Sequence, residues 1–471
     1  MSTIVTADIC VIGAGAAGLS VAAGAAQLNQ KVVLVEQAEM GGECLNSGCV
    51  PSKALIRAAR AAYDVKNADR CGVTAGNPTV NFASTMSYVH DVIAKIAPHD
   101  SVERFRNMGV TVLEGTAQFI DAGTVKVGNT RVTARYFVIA TGSKPSIPSL
   151  RGLNATDYHT NETIFKLTSR PQHLLILGGG AVGLEMAQTF RRLGSRVTLI
   201  EQQNCLQNED AETLAPVLDK LRAEGVTLEE MCQVKSVRKE GRKIILKTDR
   251  GDLEGSHLLI AAGRKPNCDE LNLDRAGVPL ENGFIKTDHR LRTDRKNIYA
   301  VGDVTKFGGS THSASEQAGI VIRNMLFKIP AKIKPQSFPQ AVYTDPEYAR
   351  LGLTEAAARA AGYSVSVLRW PFSANDRALA EGDTHGLVKV VAVPNGRVLG
   401  VSISGAHAGD LLAPWSLMIG RKLKLSHIAG LIAPYPTRGE ASKRAAGDFY
   451  SRKLFTPSGR LLVKLLSFFG R

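Results

Sequence analysis

The chain has 471 residues, 44% hydrophobic and 21% charged, which suits an ordinary soluble globular protein of about three domains. Its formal charge is +15, but residues 421–471 hold 11 Lys+Arg against 2 Asp+Glu, and no nucleic-acid motif occurs elsewhere, so a nucleic-acid partner is excluded. Seven cysteines do not make an oxidised secreted framework, and a cytoplasmic protein is expected.

From Ala7 a short apolar run leads into Gly13-Ala-Gly15-Ala-Ala-Gly18, then a small-residue helix, then Val32-Val-Leu-Val-Glu36. Ile9 to Leu28 lacks charge, yet Asp8 precedes it and no basic region comes before it, so glycine-rich nucleotide binding explains it better than a signal or a span. Gly13 makes the turn, Gly15 lets a pyrophosphate approach the backbone, Gly18 allows close helix–strand packing, and Glu36 can take ribose hydroxyls. The alternative, a glycine turn that only packs a helix on a sheet, could hold for one copy of this pattern but hardly for two.

Next comes Gly41-Gly-Glu-Cys44-Leu-Asn-Ser-Gly-Cys49-Val-Pro51-Ser-Lys53. Pro51 suits the first turn of a helix, whose free N–H groups would lower the pKa of Cys49. The pair can cycle between disulfide and dithiol, with Cys44 freer to meet a substrate. A metal half-site would need a second close Cys/His pair, which none of the other cysteines provides, so no metal site is expected. A merely structural bridge would stabilise little through so short a loop.

Residues 54–107 predict helices, and residues 110–140 predict strands ending at Ala140-Thr141-Gly142-Ser143. The nucleotide pattern returns at Leu174-Leu-Ile-Leu-Gly178-Gly-Gly180-Ala-Val-Gly183 and ends at Glu201, with the same 23-residue spacing from first glycine to acid. His257-Leu-Leu-Ile-Ala-Ala-Gly263-Arg264 repeats the earlier strand ending. Asn297-Ile-Tyr-Ala-Val-Gly302-Asp303 is a strand running into a turn, where Asp303 either accepts a cofactor hydroxyl or makes an Asx turn. Pro330 and Pro335 mark a linker. Ala341 to about Gly447 mixes strands and helices without a glycine fingerprint and suits an interface.

Together the two nucleotide units, the C-x4-C run with Lys53, Gly302-Asp303 and the late Tyr435-Pro436-Thr-Arg-Gly-Glu440 resemble the class I pyridine nucleotide–disulfide oxidoreductases over residues 4–450. The resemblance implies an α/β fold with two Rossmann-like dinucleotide-binding domains and a C-terminal α+β dimerisation domain. It places an FAD domain in 1–150 and 266–335, an NAD(P) domain in 151–265, dimerisation in 336–450 and a basic tail in 451–471. An obligate homodimer is implied, with each active site completed by the partner's C-terminal segment. Gly13, Gly15, Gly18, Glu36, Lys53, Gly115, Thr141, Gly142, Ser143 and Asp303 carry over as FAD-binding positions. Gly178, Gly180, Gly183, Glu185, Glu201 and Gly263 carry over as coenzyme positions. Cys49 would lie against the flavin, Cys44 would exchange with substrate, and Lys53 would pair with Glu185. Glu201 followed by Gln202, Gln203 and Asn204 favours NADH, with NADPH the alternative given Arg192 and Arg196.

One departure bears on activity. Thiol-reducing members place His before Pro in the late motif, with a Glu five residues on; here Tyr435 stands there and Glu440 is retained. Mercuric reductase also has Tyr, but it ends in a vicinal cysteine pair, whereas this chain has no cysteine after Cys268. Three readings follow: a mercuric-reductase-like enzyme acting on a metal ion or small electrophile, a dihydrolipoyl dehydrogenase-like enzyme, and a redox-sensing flavoprotein without turnover. In the tail, Leu461, Leu462, Leu465, Leu466, Phe468 and Phe469 share one helical face and Lys464, Ser467 and Arg471 the other. That pattern suits either peripheral contact with the inner membrane face or a helix docked on the dimer.

Overall fold

The computed structural model describes residues 3–469, so Arg471 of the tail pattern lies outside the described residues. Two compact units result, one from residues 1–66, 76–202 and 229–335, the other from 67–75, 203–228 and 336–471.

In the first unit the order is β1 (Thr3–Ile12), α1 (Ala16–Gln27), β2 (Val32–Glu36), α2 (Gly42–Asn46), α3 (Cys49–Lys66), α4 (Phe82–Ile96), α5 (Val102–Asn107) and β3 (Thr111–Glu114). It continues with β4 (Ala117–Asp121), β5 (Thr124–Val127), β6 (Thr130–Ile139), β7 (His173–Leu177), α6 (Ala181–Arg192), β8 (Arg196–Ile200), β9 (His257–Ile260), β10 (Ile298–Ala300) and α7 (Thr311–Met325). Strands β3, β2, β1 and β6 run parallel in that spatial order. At β6 the sheet branches: its first half pairs antiparallel with β5, its last three residues parallel with β10. The Ile9–Ile12 end of β1 and Val32–Val35 of β2 read as unbroken apolar runs because they are covered on both faces, with Ile9, Cys10, Val11 and Leu34 fully buried. A second parallel set, β8, β7 and β9, repeats the arrangement.

Both glycine turns are forced by close packing. A Cβ on Gly18 would stand 1.8 Å from the carbonyl oxygen of Gly13, and one on Gly183 would stand 2.0 Å from that of Gly178. Gly13 and Gly178 have φ of +103° and +116°, a region that favours glycine, and face the carbonyls of Ala140 and Ala261. The two nucleotide units therefore use one solution twice, each strand end pressed against the turn of its neighbour.

The second unit contains a five-stranded antiparallel sheet, in the order Gln340–Val342, Glu347–Gly352, Val398–Gly405, Leu387–Ala392 and Ser366–Pro371. Phe372, Trp415 and Phe449 pack in its core with Val390 and Ile403. Within this unit Lys389 is 5% exposed and its Nζ meets Asp210 at 2.8 Å, Glu212 at 2.9 Å and Glu355 at 3.1 Å. Asp210 also caps helix Ala211–Ala223 through the Thr213 N–H. Removing this one cation strands a buried carboxylate, so Lys389→Ala lowers unfolding stability by about 3–5 kcal/mol. A urea midpoint unchanged from wild type would show that the cluster contributes nothing.

Candidate active site

The C-x4-C segment opens on Gly41 and Gly42, both at positive φ, which turn the chain into the single turn of α2 carrying Cys44. A Cβ on Gly42 would come within 2.7 Å of the Gly15 Cα, so this segment lies directly against the first glycine turn. Helix α3 then starts on Cys49 and includes Pro51, buried in its first turn. Cys44 and Cys49 are not joined to each other in this structure.

Thr311, at the start of α7, joins the two sulfurs. Its hydroxyl donates to Cys44 Sγ at 3.1 Å and lies 3.4 Å from Cys49 Sγ. The Cys49 thiol is lowered to about 6, chiefly by the hydrogen bond from Cys44, with help from Thr311 and the Lys53 ammonium and against the cost of burial. Cys44 moves the other way: its thiol is raised well above the usual range by that same bond to Cys49 and by burial. The pair is thus split into one readily ionised sulfur and one that keeps its proton. Lys53, one turn along α3, meets Glu185 of α6 at 2.9 Å, with the Glu185 side chain 5% exposed.

Glu43 is a residue whose role the sequence alone did not disclose. Burial raises it to about 7 although Arg264 pulls it back. It accepts a hydrogen bond from Asn161 at 2.9 Å and pairs with Arg264. Arg264 Nε in turn donates to the Ser143 hydroxyl at 2.8 Å, and Ser143 donates to Asp303 Oδ2 at 2.9 Å. Position 43 lay within the motif beside Cys44; nothing local tied it to residue 264.

Glu36 Oε2 accepts the Ala14 N–H at 2.6 Å, and Glu201 Oε2 accepts the Gly179 N–H at 2.6 Å, so each acid braces the turn of its own unit. Thr141 and Asn267 exchange hydrogen bonds, Oγ1 to carbonyl at 2.7 Å and Nδ2 to carbonyl at 3.0 Å. Gly115 donates its N–H to the Glu36 carbonyl at 2.7 Å. These surroundings fit two dinucleotides. A Cβ on Gly15, Gly142, Gly180 or Gly263 would meet nothing within 4 Å, and α1 and α6 begin without a side-chain cap or a first-turn acid, leaving N–H groups for phosphate.

A cavity of about 380 Å³ reaches Cys44 and Thr311 and is lined further by Ser20 of α1, Asp100, Arg104 and Phe105. Cys49 is not part of its lining. In the second unit Tyr435 is 71% exposed and its hydroxyl donates to Asp376 Oδ2 at 3.0 Å. That bond, with the repulsion of Asp376 and then Glu440, raises the phenol above its ordinary value. Glu440, read as the orienting acid, begins helix Glu440–Leu454; the Tyr435 hydroxyl bonds instead to Asp376, 59 residues upstream. Arg438, 7% exposed, fastens the same loop through Glu381 and Asp383, and Asn375 donates to the Thr437 carbonyl at 3.1 Å.

The sequence matches the pyridine nucleotide-disulphide oxidoreductase family over residues 7–319 and that family's dimerisation domain over residues 338–446. It is 36% identical to a mercuric reductase of Streptomyces lividans, over 94% of this chain and 96% of that one. It is 34% identical to a dihydrolipoyl dehydrogenase of Bacillus subtilis (strain 168), over 93% and 95%. Among solved structures, the HOCl-induced flavoprotein disulfide reductase RclA from Escherichia coli superposes with a TM-score of 0.85 at 27% identity, over 93% of this chain and 99% of that one. Its Cu(II) complex gives a TM-score of 0.84 at 26% identity, over 93% and 98%.

Proposed function

We propose an activity from the premise that the chain belongs to the pyridine nucleotide-disulphide oxidoreductase family and is an FAD-dependent enzyme of it: electrons from NADH reach the Cys44–Cys49 pair and leave through Cys44 to a soft metal ion or small electrophile. The family's dimerisation domain supports a homodimer. The observation that carries the reading is the asymmetry of the two sulfurs, with Cys49 the easily ionised one and Cys44 the one lining a cavity.

When bound, FAD supplies the hydride acceptor and the electron pair that opens a disulfide. Gly13, Gly15, Gly18, Glu36, Lys53, Gly115, Thr141, Gly142, Ser143 and Asp303 would hold it, while Gly178, Gly180, Gly183, Glu185, Glu201 and Gly263 would hold the nicotinamide coenzyme. Two electrons break the S–S bond. Cys49 keeps a negative charge beside Lys53, and Cys44 takes a proton. An acceptor at the Cys44 sulfur then receives both electrons as the S–S bond re-forms and the proton is released. Two relatives support a metal-ion acceptor: one is a mercuric reductase, and the copper complex is of a flavoprotein disulfide reductase. A dihydrolipoyl dehydrogenase-like activity is the second reading, favoured by the Bacillus subtilis relative and by the presence of Glu440. NADH oxidation assayed with mercuric ion, cupric ion, quinones, glutathione disulfide and lipoamide separates them. Metal ions or quinones are expected to turn over fastest, and lipoamide as the best acceptor would overturn the first reading.

For the coenzyme, Glu201 would repel a 2′-phosphate, and the guanidinium of Arg192 stacks 3.9 Å from the Tyr63 ring centroid. NADH is therefore expected to exceed NADPH in kcat/KM by roughly tenfold or more, the equivalent of about 1.4 kcal/mol. Equal values for the two coenzymes would refute the preference.

A further inference from the structure

We propose that the terminal helix Pro457–Phe469 docks on an anionic lipid surface, lying in the plane of the headgroups with its apolar face inward. Its 13 residues span about 20 Å, short of the ~30 Å hydrocarbon thickness. Among the described residues no helix is long and apolar enough to cross a membrane. At 3.6 residues per turn, Leu461, Leu462, Leu465, Leu466, Phe468 and Phe469 fall within an arc of roughly 160°. Arg460, Lys464 and Ser467 occupy the opposite side. None of the helix is buried on this chain, and the six apolar side chains range from 52% to 87% exposed. So continuous an apolar stripe beside a basic one is an interaction face.

Charge decides the occupant. After Asp448 the sequence contains Arg452, Lys453, Arg460, Lys464 and Arg471 and no acidic residue. A second copy of this chain is itself at +15 and so offers poor complementarity to that face, whereas anionic headgroups match it. The match to the family's dimerisation domain ends at residue 446, so the helix lies outside the portion that this family uses to dimerise. A homodimer carries the helix twice, and two weak contacts on one surface multiply.

The test sediments the holoenzyme with vesicles of phosphatidylcholine alone, or with about one third phosphatidylglycerol added, expecting roughly tenfold or more greater binding to the anionic vesicles. Raising salt to about 0.5 M should release most of it, since screening then acts within a few ångströms. Combining Leu462→Ser, Leu466→Ser and Phe469→Ser should abolish binding while flavin absorbance and NADH oxidation persist. Arg460→Glu with Lys464→Glu should remove the preference for anionic lipid. Phe468→Trp should show an emission blue shift with anionic vesicles alone, which reads insertion independently of the triple variant's folding. Equal binding to both vesicles, or no binding, overturns the proposal. So does conversion of the dimer to a monomer by the triple variant in light scattering, which would give the face to a second copy.

Discussion

Tyr435→His is expected to raise dihydrolipoamide oxidation at pH 7 by up to roughly three orders of magnitude, while leaving NADH-driven metal-ion reduction within a few-fold of wild type. A phenol with an ordinary pKa near 10 is ionised to about one part in a thousand at pH 7, whereas an imidazole near 6.5 is mostly free base. Asp376 widens the gap. It accepts the Tyr435 hydroxyl at 3.0 Å and pushes the phenol upward, so less phenolate forms at any pH than an isolated tyrosine would give. Taking a proton from a dithiol substrate needs a base; a soft metal ion that binds the Cys44 sulfur displaces the thiol proton to water by its own charge and does not. An imidazole at position 435 would have the Asp376 and Glu440 carboxylates nearby, which favour its charged form after proton uptake. The measurement is steady-state NAD⁺ reduction by dihydrolipoamide from pH 6 to 9 for wild type and variant. Robust wild-type turnover at neutral pH, unchanged or reduced by Tyr435→His, would overturn this account and promote the dihydrolipoyl dehydrogenase-like reading.

The second large effect concerns the sulfurs. Of the seven cysteines, five should titrate as free thiols in denaturant when the protein is taken as isolated, and seven after anaerobic reduction with NADH. Cys49→Ser should abolish that NADH-dependent gain and lower metal-ion turnover by about three orders of magnitude or more, because neither a disulfide nor a relay to Cys44 can form. The reduced wild-type protein should also gain thiolate absorbance with a midpoint at about pH 6, missing in Cys49→Ser. Cys44→Ala should lose acceptor turnover, and the pH 6 midpoint should move upward, since Cys44 is the main donor that stabilises the Cys49 thiolate. Seven free thiols in the protein as isolated and after reduction, with full turnover by Cys49→Ser, would remove the pair from the reaction.

Several features were legible in the chain itself because their physics is local. Gly18 and Gly183 meet Gly13 and Gly178 within one strand–turn–helix unit, so a 23-residue spacing from glycine to acid was enough to find both nucleotide units. The helix after the C-x4-C run and the amphipathic tail were equally readable, each from spacing over a few turns, although α3 begins on Cys49 and the last helix reaches back to Pro457. Tertiary structure alone decided which groups set the chemistry. Thr311 meets Cys44 from 267 residues away, Arg264 meets Glu43 from 221, and Asp376 meets Tyr435 from 59. Lys389 sits in an apolar strand run that gives no hint of three carboxylates converging on its ammonium. Hydrogen bonds and ion pairs between distant segments leave no period in the sequence. They arise only when packing brings the strands and helices together, and here they determine which sulfur ionises and which proton Tyr435 keeps.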